Sequence, residues 1–292
     1  MKSILLTGAT GFLGSYLLET FVDEGFKVVI LKRSSSNTWR IDHLLNSVVA
    51  IDIDNQPIQL AFEQQNIDVV VHTACEYGRG ESSISDVVEV NLMFALKVLE
   101  ASIDHNVKTF INTDTLLPDN INTYSLSKHH FKEWLKKSAG RIQCMNLRLE
   151  HIYGPKDDKT KFVFWLIEEM INSSGMIDLT SGEQKRDFIY IDDVVAAYML
   201  VIKKASLYGC WSEFDVGSNA LITMKEFVLR LQEIVECEKA IDVGGRLNFG
   251  AVPYRDREVM EPVINNIELA NLGWEPCMSL EDGLVKIVKE YW

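Results

Sequence analysis

Tyr124, Lys128 and Thr115 are the residues of this 292-residue chain whose types and spacing could do chemistry. The tyrosine and lysine stand four apart in Tyr124-Ser125-Leu126-Ser127-Lys128, and on a helix positions i and i+4 share a face. A phenol ordinarily titrates near ~10, and an adjacent ammonium lowers that by about 1–3 units. The spacing therefore predicts a tyrosine usable as an acid or base at neutral pH. Thr115 lies just beyond an expected strand, Thr109 to Thr113, and offers a hydroxyl that can hydrogen-bond the same reacting oxygen. Tyr-x-x-x-Lys alone occurs often by chance, so its weight depends on what positions it.

The positioning elements begin at the N-terminus. The apolar run Ile4-Leu5-Leu6 leads into Thr7-Gly8-Ala9-Thr10-Gly11-Phe12-Leu13-Gly14, and an apolar-periodic segment follows. That pattern is strand, tight turn, helix. Glycines serve where the backbone turns sharply and approaches a ligand, and the helix start offers N–H groups and a positive dipole end to a diphosphate. The turn is thus expected to bind a dinucleotide, and a nicotinamide near Tyr124 would add to the acidity of the phenol. Lys27 to Lys32 reads as the second strand and ends at Lys32-Arg33-Ser34. In dinucleotide folds this end faces the adenosine ribose, where an acidic residue selects a 2′-hydroxyl. Two cations and a hydroxyl stand there instead, which predicts NADP(H) in preference to NAD(H), with NAD(H) possible. A charge-assisted hydrogen bond to the phosphate is worth about 1.5–3 kcal/mol.

A third strand, Val48 to Asp52, brings Asp52 and Ile53 to suit an adenine amine and an adenine face. A fourth, Asp68 to His72, runs into the small residues Thr73, Ala74 and Cys75, which would let the nicotinamide-side ribose and phosphate approach closely. The loop with Tyr77 and Arg79 is expected to open towards substrate. A helical pattern covers Val87 to Ser102, the helix of Tyr124 runs to Ala139, and a sixth strand spans Gln143 to Leu149. A boundary is placed there. Residues 1–150 form a cofactor-binding domain that a strand near 209–217 rejoins, and residues 151–292 form mainly a substrate-binding domain. The fold class expected is α/β, a doubly wound parallel sheet with a smaller interleaved α/β lobe. Thr223-Met224-Lys225-Glu226 opens an amphipathic helix with a capping box.

Composition narrows the partners. A net charge of −13 argues against nucleic acid and anionic membranes. No run reaches the ~18 apolar residues of a membrane span, and no signal peptide is evident, which predicts a cytoplasmic protein. Five scattered cysteines with no C-x-x-C pair suit reduced thiols and give no metal site. Lys156, Lys159, Lys161, Lys185, Arg186, Arg255 and Arg257 nonetheless concentrate positive charge in the second half of an acidic chain.

Together these residues resemble the extended short-chain dehydrogenase/reductases of the nucleotide-sugar epimerase/dehydratase family. The resemblance rests on Thr7 to Gly14 with its G-x-x-G-x-x-G spacing, Asp52-Ile53, Tyr124…Lys128, Leu147-Arg148…Tyr153-Gly154-Pro155, Arg186 to Asp193 and Leu272-Gly273-Trp274-Glu275-Pro276. It implies that Tyr124 exchanges the proton, Lys128 holds the nicotinamide ribose and Thr115 binds the reacting oxygen. It further implies cofactor contacts at Gly8, Thr10, Gly11, Phe12, Leu13, Gly14, Asn91 and His151, and substrate contacts at His151, Lys161, Arg186 and Arg255. The family also implies a homodimer formed by the helices over 87–102 and 124–139. A 4,6-dehydratase carries an Asp-Glu pair after its catalytic hydroxyl, whereas Leu116-Leu117 follow Thr115. The segments Ala74 to Arg79, Phe110 to Asn112 and Leu149 to Gly154 are similar to those of CDP-paratose and CDP-abequose synthases, 4-ketoreductases of O-antigen deoxysugar synthesis. The expected activity is NADPH-dependent 4-ketoreduction of a nucleotide-linked 4-keto-6-deoxy or 3,6-dideoxy hexose. The alternative is a 4-epimerase.

Overall fold

A computed structural model describes residues 2–291. It contains, in chain order, β1 (Ser3–Thr7), α1 (Phe12–Asp23), β2 (Lys27–Lys32), β3 (Val49–Asp52), α2 (Leu60–Gln64), β4 (Val69–His72), α3 (Ile84–Val88), α4 (Ala95–Asp104), β5 (Thr109–Thr115), α5 (Thr123–Ser138) and β6 (Gln143–Leu149). Then follow β7 (His151–Tyr153), α6 (Phe162–Asn172), β8 (Ile177–Leu179), β9 (Lys185–Tyr190), α7 (Ile191–Lys204), β10 (Trp211–Val216), β11 (Leu221–Thr223), α8 (Met224–Lys239), β12 (Leu247–Phe249), α9 (Ile267–Asn271) and α10 (Leu280–Tyr291).

Seven strands form one sheet in the order β10-β6-β5-β4-β1-β2-β3. The pairs along it are parallel, and Cys144 and Glu150 donate main-chain bonds to Cys210 and Val216, so β10 joins β6 in the same sense. Residues of β1 and β4 are buried on both faces, as an inner parallel strand covered by helices must be. Leu5, Val70, Phe110 and Cys144 pack against Val98, Leu99, Phe131 and Leu135 of α4 and α5. Strand order reverses between β1 and β4, and ligands of such sheets bind at the carboxyl ends beside that reversal.

The chain divides into two compact units, residues 1–149 with 195–215, and residues 150–194 with 216–292. Expectation assigned 195–208 to the second lobe. Most of α7 belongs instead with the large sheet, because Tyr198, fully buried, bonds its hydroxyl to Thr113 Oγ1 at 2.6 Å. The second unit holds the sheet β11-β9-β7 and the pair β12-β8. Its core stacks Phe188 on Phe227 at 4.0 Å, and Trp274 donates its indole N–H to the carbonyl of Asp193.

Two local features differ from or match the sequence pattern. The helix expected over 87–102 is broken: between α3 and α4, Glu89–Phe94 form a π-helical turn. Such turns often accompany functional sites. The capping boxes at Asn122 and Ser125 of α5, and at Thr223 and Glu226 of α8, are both formed.

Candidate active site

The glycine turn is built from close approach. Gly8 adopts φ +70°, and a Cβ there would lie 2.6 Å from the Ala74 nitrogen. A Cβ on Gly14 would fall on the Gly8 carbonyl. The turn is closed by Gly11 N–H donating to the Gly8 carbonyl at 2.9 Å, and Gly11 caps α1 without a side-chain bond. Phe12 and Leu13 are buried beneath the turn, which leaves backbone rather than side chains to line it. Thr73 is tied to this turn: its hydroxyl donates to the Thr7 carbonyl at 2.8 Å, and its N–H and that of Ala74 reach Thr7 Oγ1.

At the end of β2, Lys32 faces Asp52 in register, and Arg33 and Ser34 are exposed. Ser34 Oγ donates to Asp52 at 2.6 Å while its N–H is held by Asp54 at 2.8 Å. Bonds from Ser34 and Asn55, with Lys32 adding attraction, hold the Asp52 carboxyl below its ordinary range. Ile53 continues from there, its N–H bonded to the Lys32 carbonyl. Sequence reasoning missed Arg40, whose guanidinium lies 4.5 Å over Trp39 and donates to the Thr10 carbonyl at 3.4 Å. This brings a further cation to the rim of the glycine turn.

Tyr124 and Lys128 stand one turn apart on α5, with Lys128 only 2% exposed. Thr115, the last residue of β5, accepts the Leu117 N–H on its hydroxyl at 3.2 Å and lies near enough to the Tyr124 phenol to favour its ionised form. The direction of the phenol's shift is opposite to the expectation. Burial holds Tyr124 well above the usual phenol range, the neighbouring acidic groups of Cys75, Asp114 and Tyr198 further disfavour its ionisation, and the Thr115 hydroxyl opposes this. Burial likewise lowers Lys128, against the attraction of Asp114 and Cys75. Desolvation is the largest cause for both groups in the protein alone. The phenol is therefore protonated at neutral pH.

The loop after β4 closes over this group. The Tyr77 ring lies 5.0 Å from that of Tyr124, and the Arg79 guanidinium lies 5.1 Å from the Tyr77 ring. Asn91, fully buried in the π-helical turn, accepts the Glu76 N–H at 2.7 Å and donates to the Glu76 carbonyl and to Ser127 Oγ. Both of its amide hydrogens are committed to the protein. Asn91 is thus a brace between the loop and α5.

In the second unit, His151 Nδ1 sits 2.9 Å from Glu150 and its ring packs on Phe188. Lys161 pairs with the buried Asp157 at 2.9 Å. Arg186 is engaged by Glu258 and by the carbonyls of Lys185 and Val259. Arg255 is exposed.

Residues 4–211 match the model of the NAD dependent epimerase/dehydratase family. The chain is 35% identical to the CDP-abequose synthase of Salmonella muenchen, over 98% of this chain and 97% of that protein. It is 32% identical, with the same coverage, to the CDP-abequose synthase of Salmonella typhimurium. The chain belongs to the NAD dependent epimerase/dehydratase family. Among solved structures, the UDP-glucose 4-epimerase of Thermotoga maritima with UDP-glucose superposes with a TM-score of 0.85 at 23% identity, covering 99% of this chain and 98% of that one. The dTDP-glucose 4,6-dehydratase of Bacillus anthracis, in complex with NAD, gives 0.84 at 18% identity, covering 100% and 96%. These two likenesses are of fold.

The residues of this member of the epimerase/dehydratase family fit a dinucleotide. Gly8 and Gly14 leave a backbone-lined turn that any Cβ would fill, and α1 begins there without a side-chain cap. That is the form a diphosphate site takes at a helix start. No helix among the described residues is long and apolar enough to cross a membrane.

Proposed function

We propose that this family member is an NADPH-dependent 4-ketoreductase of a nucleotide-linked 4-keto-6-deoxy or 3,6-dideoxy hexose, acting in deoxysugar synthesis as the CDP-abequose synthases do. The observation that carries the reading is the placing of Tyr124 and the buried Lys128 one turn apart on α5, with Thr115 ending β5, in a chain 35% identical to a CDP-abequose synthase. Burial keeps the phenol protonated. Reduction of a ketone needs an acid loaded with its proton at the start, and an oxidation needs the reverse. Tyr124 gives its proton to the forming alkoxide and Thr115 orients that oxygen. Lys128 holds the cofactor ribose, and the turn from Gly8 to Gly14 holds the diphosphate. NADPH, when bound, supplies the hydride. Lys32, Arg33 and Ser34 face its 2′-phosphate. Tyr77, Arg79, His151, Lys161 and Arg255 are assigned to the sugar nucleotide. Arg186 and the exposed Arg255 are assigned to its phosphates, Arg186 while also engaged by Glu258.

The test is steady-state reduction of a panel of 4-keto sugar nucleotides, CDP-linked first, with products identified by NMR. NADPH consumption that Tyr124→Phe abolishes is the expected result. Wild-type turnover by Tyr124→Phe removes the assignment, and tighter binding of NADH than NADPH removes the cofactor preference. Tightly co-purifying cofactor, with inversion at C4 and no net NADPH consumption, makes the enzyme a 4-epimerase instead. We also propose a homodimer through the helical face carrying Met93, Leu126 and Trp134, which are 42%, 42% and 50% exposed. Sedimentation of Trp134→Glu as a monomer supports it, and an unchanged mass overturns it.

A further inference from the structure

Beside the reacting hydroxyl lies a carboxylate that the proposed chemistry does not use. Asp114 is 4% exposed. One of its oxygens accepts the Thr115 N–H at 2.8 Å and the other accepts Asn146 Nδ2 at 2.8 Å. Asn146 Nδ2 also donates to Glu213 at 3.0 Å, and its carbonyl accepts from Asn112 at 2.7 Å. With carboxylates on both of its donor positions, the Asn146 amide has one possible orientation, and Asp114 must be an acceptor at both oxygens. The register partner of Asp114 on β6 is Arg148, whose guanidinium is taken up by Asp215 at 2.7 Å and by Glu213. Burial pushes the Asp114 carboxyl above its ordinary range, opposed by the charges of Lys128 and Lys132 on α5 and by its bonds from Asn146 and Thr115. Asp114 acts in turn on Tyr124 of α5 and Tyr198 of α7. His72 of β4 faces Lys128 in turn.

We propose that Asp114 is the positioning residue of this site: its buried carboxyl anchors the Thr115 amide, so setting the Thr115 hydroxyl at the end of β5, and it is a counter-charge for the likewise buried Lys128. The proposal rests on Tyr124 being the acid, but its two parts are measurable without turnover. A buried ammonium without a counter-charge loses its proton easily. Asp114 therefore keeps Lys128 charged for the cofactor ribose. The same negative charge keeps the phenol loaded with its proton.

The experiment titrates [13Cε]lysine-labelled protein by NMR, with Lys128→Met identifying the Lys128 signal. Asp114→Asn supplies one acceptor in place of two and no charge. The Lys128 midpoint is expected to fall by about 1 pH unit. The basic limb of kcat for keto-sugar reduction should move to lower pH in parallel, because both Lys128 and Tyr124 then lose protons more readily. Asp114→Ala, without either anchor for Thr115, should lower kcat at least tenfold below wild type, with less change in the KM for NADPH. A Lys128 midpoint and basic limb both within about 0.3 unit of wild type overturn the proposal. A shifted midpoint alongside a Tyr124→Phe variant that still turns over leaves Asp114 as the counter-charge and removes only the reading of Tyr124.

Discussion

The Tyr77 ring stands 5.0 Å from the Tyr124 ring, tilted by 34°. Tyr77 is itself 41% exposed, so its contribution is to Tyr124 and to what lies against it. Aromatic pairs of this kind are worth about 0.5–1.5 kcal/mol beyond buried area. Tyr77→Phe should keep that packing and reduce the substrate at close to the wild-type rate. Tyr77→Ala should lower kcat/KM by up to about tenfold, the equivalent of that packing. Steady-state kinetics of the two variants decide it. Equal losses in both would mean that the Tyr77 hydroxyl, and not its ring, carries the effect.

Cofactor preference is the next quantity that single residues should move. Lys32 and Arg33 leave β2 beside Ser34, whose two bonds to Asp52 and Asp54 fix the turn that carries them. Removing one charge-assisted bond costs about 1.5–3 kcal/mol. Arg33→Ala should therefore raise the Kd for NADPH tenfold or more and leave NADH within a factor of two. Fluorescence titration measures both. A matched loss for the two cofactors would place Arg33 outside the 2′-phosphate contact.

The glycine turn predicts a stability contrast. Gly14→Ala places a methyl on the Gly8 carbonyl, whereas Gly25, at φ +77°, has nothing within 4 Å of its missing Cβ. Overpacking costs about 1–3 kcal/mol, and a left-handed alanine roughly 1–2 kcal/mol. Thermal melts should show both variants destabilised by comparable amounts. Only Gly14→Ala should also lose NADPH affinity, since Gly25 is remote from the turn in sequence and its strain is local.

Local spacing made much of the site legible. Gly8, Gly11 and Gly14, and Tyr124 with Lys128, act through neighbours a few residues away, so the sequence carries their geometry directly. Asn91 was placed on an expected continuous helix; the structure instead makes it a brace within a π-helical turn, a deviation set by its bonds to Glu76 and Ser127. Arg186 looked like a phosphate ligand, and its partner Glu258, 72 residues away, lies beyond any local pattern. The shift of Tyr124 was misjudged for a related reason. The i, i+4 spacing is visible in the sequence, while the burial that dominates the shift depends on strands and loops far along the chain. Asp114 was passed over because a strand's alternation does not reveal that Asn146 and Lys128 converge on it.

His72 gives the last prediction. Its ring is fully buried among Phe94, Phe110 and Phe131, and Nδ1 lies 2.9 Å from Thr7 Oγ1. Thr7 Oγ1 already accepts N–H groups from Thr73 and Ala74, so it donates its proton to His72, which must be neutral. Burial, with the charge of Lys128 adding to it, lowers the imidazole from 6.5 to about 3. The unfolded chain binds a proton at this histidine below about 6.5, and the folded protein does so only near 3. Stability from this group is therefore complete above about pH 6.5 and lost as pH falls towards 3, by up to about 1.4 kcal/mol per pH unit. His72→Gln keeps a polar group at Thr7 but cannot titrate. Urea unfolding between pH 7 and pH 5 should show wild type losing more stability than His72→Gln over the same interval, by up to about 2 kcal/mol. Parallel pH dependence in the two proteins would mean that His72 takes up its proton without unfolding.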